Sequence, residues 1–261
     1  MEGNSIVMRY FGGKARLAPE IVKYFPAHDV YVDAYGGAGG VLLCKPRAFK
    51  DVYNDLDGEM VNLFTVIRDR CEELVRATYL TPVSAMDFQI ASIRTQDQIE
   101  QARRTLYRMA MSFSTTAIQG VARTGWRPRA LKASSHINWY NMPDEVIQMM
   151  ERLRGVVIEN DFALSVIDRY DSKKTLFYID PPYVLDTRVQ KSSYKYEMDE
   201  AQHENLLATL VAAKGMVIVS GYHHKLYDNM LAKWKIVEIE DKADSLEKRV
   251  EVLWIKPHTS A

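Results

Sequence analysis

The 261-residue sequence predicts an α/β fold, a mostly parallel sheet interleaved with helices and finished by a C-terminal antiparallel hairpin. Three observations predict it. Short apolar runs bounded by turn residues recur along the chain, segments of helical period lie between several of them, and the last two β-rich runs are joined by a short charged stretch. A hydrophobic content of 47% suffices for a sizeable core. Lys+Arg and Asp+Glu balance at 34 each, so any charge signal must lie in their distribution. Cys44 and Cys71 are too few for a disulfide framework or a cysteine-rich zinc site, and suit a reducing cytoplasm. The start "MEGNSIVMRY" lacks a basic segment followed by an apolar one, and no apolar run approaches the ~20 residues that span a bilayer. Neither secretion nor a membrane partner is expected.

Taken in order, the first chemical signal is "MRYFGGKARLAPEI" (8–21), a glycine pair followed by Lys14. Flexible glycines beside a lysine can set an ammonium against a carboxylate or phosphate, although surface loops share this look. "DVYVDAY" (29–35) reads as a buried strand. It runs into "YGGAGGVLL" (35–43), where Gly36, Gly37, Gly39 and Gly40 lead to an apolar helical start. Glycines serve where backbone turns tightly and a ligand comes close. The dinucleotide spacing G-x-G-x-x-G fails, because Leu42 stands where a small residue is needed. "KDVYN" (50–54) is the next strand, and Asp55 follows it. An acid at such a strand end, about 20 residues past the glycine turn, can accept both hydroxyl hydrogens of a ribose. A glycine-rich connector with a helix-capping acid is the alternative. Residues 58–80 have helical period.

The middle of the chain departs from the pattern. Residues 101–143 contain no Asp or Glu, yet hold Arg103, Arg104, Arg108, Arg123, Arg127, Arg129 and Lys132, interleaved with Trp126, His136, Trp139 and Tyr140. Cations and aromatics without acids describe a phosphate-tracking surface with stacking platforms, or else a helical insert with solvated arginines.

"TLFYID" (175–180) is a strand that stops in an acid, two prolines and a tyrosine. Proline fixes its own φ and discourages helix in its predecessor, so Asp180 and Pro181 are held extended. Pro181 and Pro182 contribute no N–H, leaving fixed carbonyl acceptors at a strand's carboxyl end, where α/β sheets bind ligands. With the Asp180 carboxylate and the Tyr183 ring, the corner suits a planar ring bearing an amino group. A rigid strand-ending turn with a buried tyrosine is the bland reading. The loop "DTRVQKSSYKYEM" (186–198) carries Arg188, Lys191 and Lys195 with Tyr194 and Tyr196, a set able to close over DNA, a loop that stays mobile being the alternative. Residues 199–213 form a helix with an acid-rich first turn, and His203 reads as a surface residue of it. "MVIVSG" (216–221) is a further strand. His223 and His224 follow it without partners spaced for a metal, so no metal is expected. "WKIVEIE" and "RVEVLWI" make the closing hairpin.

"FGGK", "YGGAGG" and "DPPY", in this order, resemble the Dam-like (D12 class, alpha group) DNA adenine-N6 methyltransferases. The likeness spans nearly the whole chain. "VYNDLD" looks like the segment whose acid binds the cofactor ribose and "ENDF" like the one that contacts its adenine; "HENLLATL", "VIVSGY" and "RVEVLWI" look like later family segments. The family usually places a proline before the aromatic of its glycine turn, where Ala34 stands here. The resemblance implies a Rossmann-like S-adenosylmethionine-dependent sheet over 1–80 and 150–261, with a small, mainly helical target-recognition insert at 81–149. It implies that Tyr10, Lys14, Asp55 and Asp180 contact S-adenosylmethionine, with Asp33, Tyr35, Gly37, Gly39, Asp161 and Phe162 around it. Asp180, Pro181, Pro182 and Tyr183 would form the catalytic corner. Arg123, Trp126, Arg127, Arg129, Lys132, Lys191 and Tyr194 would meet double-stranded DNA, in the cytoplasm of a bacterial or phage-infected cell. An amino group on a ring also describes cytosine N4 and RNA bases, and a DNA-binding module without turnover is a third reading.

Overall fold

The computed structural model describes residues 14–111, 135–184, 195–241 and 249–257. Its strands are β1 (Val30–Asp33), β2 (Lys50–Asn54), β3 (Val157–Glu159), β4 (Thr175–Ile179), β5 (Met216–Gly221), β6 (Lys235–Asp241) and β7 (Arg249–Ile255). They form one sheet in the order β3-β2-β1-β4-β5-β7-β6. The first five are parallel, while β7 runs antiparallel to both β5 and β6, as the closing hairpin predicts. β3 lies outside the runs read as strands; its three residues are half-buried and carry a weak apolar signal.

Both faces of the sheet are covered, so the inner strands carry apolar residues at consecutive positions and not only at alternate ones. In β4, Leu176 and Tyr178 enter one core while Phe177 and Ile179 enter the other. The first core is closed by α1 (Ala18–Val22), α2 (Gly40–Cys44), α3 (Gly58–Asp69), α4 (Cys71–Tyr79), α6 (Gln98–Met111) and α7 (Ser135–Leu153). The short α5 (Ala85–Ile90) leads into α6. The opposite core is closed by α8 (Ala163–Tyr170), α9 (Glu200–Ala212) and α10 (Lys225–Met230). Helical period over 58–80 resolves into α3 and α4, broken at Arg70, whose φ of −135° is non-helical. α9 begins with a capping box: Asp199 accepts from the Gln202 amide while the Gln202 side chain accepts from the Asp199 amide.

One residue reverses its expected place. His203 is fully buried, its Nδ1 2.8 Å from the Tyr227 hydroxyl, because the face of α9 that carries it packs on α10. The polar residues flanking it in the sequence obscure that contact.

Chain order reverses between β1 and β4: from β1 the path steps to β2 and then β3, whereas β4 and β5 lie on the other side. At such a switch point the connections leave in opposite directions and open a crevice beyond the carboxyl ends. Asp33 ends β1 and Asp180 follows β4, so both carboxylates stand at that crevice. Phe177, fully buried within the second core, is the test of the packing. Phe177→Ala is expected to lower unfolding free energy by about 3–5 kcal/mol in urea titration, and a loss under about 1 kcal/mol would contradict it.

Candidate active site

The glycine turn after β1 is shaped by two approaches. Gly39 sits at φ +66°, and a Cβ there would lie 2.8 Å from Phe64, so backbone conformation and packing both exclude a side chain. A Cβ on Gly40 would lie 2.7 Å from the Ala15 nitrogen, so glycine lets the segment that carries Lys14 lie against the start of α2. Three strand ends are tied by Asn54 at the tip of β2. Its amide donates to the carbonyls of Ala34 (2.9 Å) and Asp161 (3.0 Å), and its oxygen accepts from the Asp161 N–H at 3.0 Å.

These elements enclose a cavity of about 490 Å³. Lys14, Asp33, Tyr35, Gly37, Asp55, Phe162, Asp180 and Pro182 line it, together with Asn54, Asp57, Lys195, Tyr196 and Asn205. Asp55 accepts from the N–H of Gly37 and of Asp57, both at 2.7 Å, one on each carboxylate oxygen. Phe162 exposes 67% of its surface at the cavity wall. Asp161 does not line it: one oxygen accepts from the Phe162 N–H and the other from Arg169, both at 2.8 Å, which holds its carboxyl below the ordinary value. Gly39 and Pro181 also lie outside the lining.

Lys14 is the buried cation of the site. Its ammonium is 3.1 Å from Asp180 Oδ1 and 3.2 Å from Glu251 Oε1, and it also donates to the Tyr183 hydroxyl. The glycine-lysine signal thus resolves into an ammonium set against carboxylates. Tyr183 donates in turn to Glu251 at 3.1 Å, and the Ser220 hydroxyl donates to Glu251 at 2.5 Å. The Tyr183 ring is 9% exposed, with the Lys14 nitrogen 4.7 Å from its centroid and the Tyr222 ring at 4.6 Å.

Carboxylates outnumber cations here, and their acidities reflect it. Burial pushes Asp33 well above the ordinary value, with Asp180 and Asp55 adding to the shift; its Oδ1 is buried without a hydrogen bond. Burial raises Asp55 to about 6 against the two backbone N–H groups that lower it. Burial likewise raises Asp180 to about 7; Lys14 opposes and Glu251 adds. A cavity walled by such groups favours a ligand that brings positive charge and hydroxyl donors.

Several expected contacts fall elsewhere. Arg103, Arg104 and Arg108 lie on α6 and are not phosphate-tracking residues. Arg103 and Arg104 bind Glu100 at 2.6 and 2.7 Å, and Arg108 binds Glu59 at 2.8 Å and the Ala91 carbonyl at 2.9 Å. Their partners stand one residue before the acid-free window or on another helix. Trp139 is no stacking platform: it is buried, edge-on to Tyr107, and donates to the Thr81 carbonyl at 2.8 Å. Lys195 pairs with Asp57 at the cavity. Tyr10, Arg123, Trp126, Arg127, Arg129, Lys132, Arg188, Lys191 and Tyr194 lie outside the described residues. Among the described residues no group of three or more His, Cys, Asp or Glu is arranged to hold a metal ion, and no helix is long and apolar enough to cross a membrane. His223 is held between Asp228 at 3.0 Å and Glu238 at 3.3 Å, which raise its pKa.

Glu251, Ser220 and Asn54 are site residues that motif reading did not single out. Asn54 lies inside the quoted "VYNDLD" and Glu251 inside "RVEVLWI", but nothing in either string marks the residue as facing the cavity or the Lys14 cluster.

The family model "D12 class N6 adenine-specific DNA methyltransferase" matches residues 10–244. A type II methyltransferase of Lactococcus lactis subsp. cremoris is 22% identical, over 92% of this chain and 90% of its own length. A DNA adenine methylase of Serratia marcescens is 31% identical over 29% of this chain, and that match spans about a quarter of the relative, 28% of its length.

The Asp55 environment makes a pH test. A carboxyl raised in the folded state stabilises the protein fully below its unfolded pKa, near 4, and that contribution is lost as pH rises through about 6. Asp55→Asn is therefore expected to lose up to about 3 kcal/mol less stability than wild type between these two values, read as the difference in slope of urea-unfolding free energy against pH without ligand. Equal slopes would show that Asp55 is not strained by burial.

Proposed function

Because the chain belongs to the D12 class of N6 adenine-specific DNA methyltransferases, we propose that it transfers a methyl group from S-adenosylmethionine to the N6 amine of adenine flipped out of duplex DNA. The observation that carries the reading is the half-buried Asp180 carboxylate at the β1/β4 switch point, opening on the cavity that Asp55 also lines. The cavity's residues fit the methyl donor. Asp55 offers each carboxylate oxygen a further lone pair for a ribose hydroxyl, Phe162 offers an exposed ring to an adenine, and the buried Asp33 Oδ1 awaits a donor. The bound donor supplies an activated sulfonium methyl.

The chain's own residues do the rest. The exocyclic amine of adenine is a poor nucleophile because its lone pair is delocalised into the ring. Asp180 and the Pro181 carbonyl accept its two hydrogens, drawing the nitrogen toward tetrahedral geometry and stabilising the positive charge that grows on it as the nitrogen–methyl bond forms and the methyl–sulfur bond breaks to leave a neutral thioether. One of the two protons is then lost to solvent. Fixed orientation of amine and methyl supplies much of the rate. Extrusion of the base costs a few kcal/mol, offset by contacts with Tyr183 and the DNA backbone. Residues 81–149 act as the target-recognition insert, with Arg123, Trp126, Arg127, Arg129 and Lys132 on DNA and Lys191 and Tyr194 on the same ligand. The family class favours adenine over cytosine N4. The type II relative supports a restriction-modification setting, and such a role places the protein in the cytoplasm.

Incubation with methyl-labelled S-adenosylmethionine and duplex DNA tests the reading. Label in N6-methyladenine is expected; label in cytosine or RNA alone, or DNA retention without label, overturns it. Asp180→Ala should lower methyl transfer by roughly 10²–10³-fold or more while DNA affinity stays nearly unchanged, and comparable turnover would remove Asp180 from the chemistry. Replacing Arg127 and Arg129 together with alanine should reduce the slope of log affinity against log salt by about 2, one per lost phosphate contact, with an unchanged slope refuting their role.

A further inference from the structure

β7 brings a further buried acid to the site. Because β7 runs antiparallel to β5, its first residues lie beside the carboxyl end of β5, with Val252 opposite Gly221. Glu251 therefore stands level with the crevice, on the strand face that Leu253 uses for the core two residues later. An acid there, only 3% exposed, is expensive compared with an apolar residue of similar size, so its retention needs a reason. Glu251 does not line the cavity; its side chain ends on the residues that stand between it and the site. Its partners are Lys14, Tyr183 and Ser220.

We infer that Glu251 is a positioning residue for methyl transfer, holding the Lys14 ammonium and the Tyr183 hydroxyl so that Asp180 keeps an oxygen free for the amine of the flipped base. The inference rests on the function proposed above. With Asp180 as its one carboxylate, Lys14 would form a one-to-one ion pair with it, and such a pair in a low-dielectric site both occupies the acceptor and weakens it as a base. The ammonium is instead shared almost evenly, 3.1 Å from Asp180 and 3.2 Å from Glu251. Through Tyr183, Glu251 also fixes the ring that follows the two prolines. The charged and titratable groups facing Asp180 are Lys14, Asp33 of β1, Tyr178 of β4, Tyr183, Tyr227 of α10 and Glu251 of β7; Lys14 lowers its pKa and Glu251 raises it.

Single-turnover methyl transfer to duplex DNA, followed against pH for wild type, Glu251→Gln and Glu251→Asp, tests this, with thermal melting as the folding control. Glu251→Gln should lower the rate by roughly tenfold or more with less effect on the KM for the methyl donor, and should move the acid limb of the profile to lower pH, because Asp180 then pairs with Lys14 alone. Glu251→Asp keeps the charge, so its limb should stay near the wild-type position while its rate falls several-fold. A folded Glu251→Gln with wild-type rate and limb overturns the inference, as do two variants with the same displaced limb, which would indicate shape and not charge. Should the Gln variant fail to fold, a wild-type rate in the Asp variant overturns it. Wild-type protein that transfers no label overturns the parent reading, whereas active wild type with unaltered variants removes the role of Glu251 alone.

Discussion

One buried ammonium shared between two carboxylates organises this molecule. Lys14 comes from the segment before α1, Asp180 from the end of β4 and Glu251 from β7, and Tyr183 and Ser220 close the ring of contacts. Removing the ammonium would leave two carboxylates uncompensated, at several kcal/mol per ion, whereas removing one acid leaves a one-to-one pair. The cluster thus ties the beginning of the described chain, the switch point of the sheet and the antiparallel hairpin to one position. The glycine at position 40 belongs to the same constraint, since a side chain there would push away the backbone that delivers Lys14.

The fold uses buried ion pairs in a second way that clarifies the first. At the amino end of β2, Asp51 receives Lys45 at 2.7 Å and Arg152 at 2.9 Å, so the acid is fully matched and serves packing between the sheet and α7. Arg103 and Arg108 are likewise matched by Glu100 and Glu59. At the carboxyl end the balance reverses: Asp33, Asp55 and Asp180 line the cavity, Lys14 is shared by Asp180 and Glu251, and Lys195 is already paired to Asp57. A site left short of positive charge is primed for a cationic ligand, whereas at the other end two cations already share Asp51. Burial first, and neighbouring carboxylates second, raise the pKa values of Asp33, Asp55 and Asp180, so their protons are held more tightly than on ordinary carboxyls.

What could be read from the string follows the range of the forces involved. Strands β2, β5 and β7 begin and end where their apolar runs do, because period and punctuation are written in neighbouring residues. Asp55 and Asp180 were legible for a related reason: an acid directly after a strand has its position set by that strand. Gly39 was legible as a turn residue, but its lack of a side chain serves Phe64, a partner on α3 that the glycine motif does not name. The arginines of α6 misled because a charge census counts residues within a window, while neutralisation is decided by distance; Glu59 is remote in sequence and 2.8 Å away in space.

The sequence by itself determined the α/β class, the order of strands along the chain, the closing hairpin and the stiff acidic corner at Asp180, since each depends on contacts between near neighbours. Tertiary structure alone decided which strand lies beside which, and with that the switch point between β1 and β4 and the arrival of Glu251 opposite Lys14. Strand order is settled by burying both faces of the sheet at once, a cooperative outcome of the whole chain that no short stretch of residues encodes.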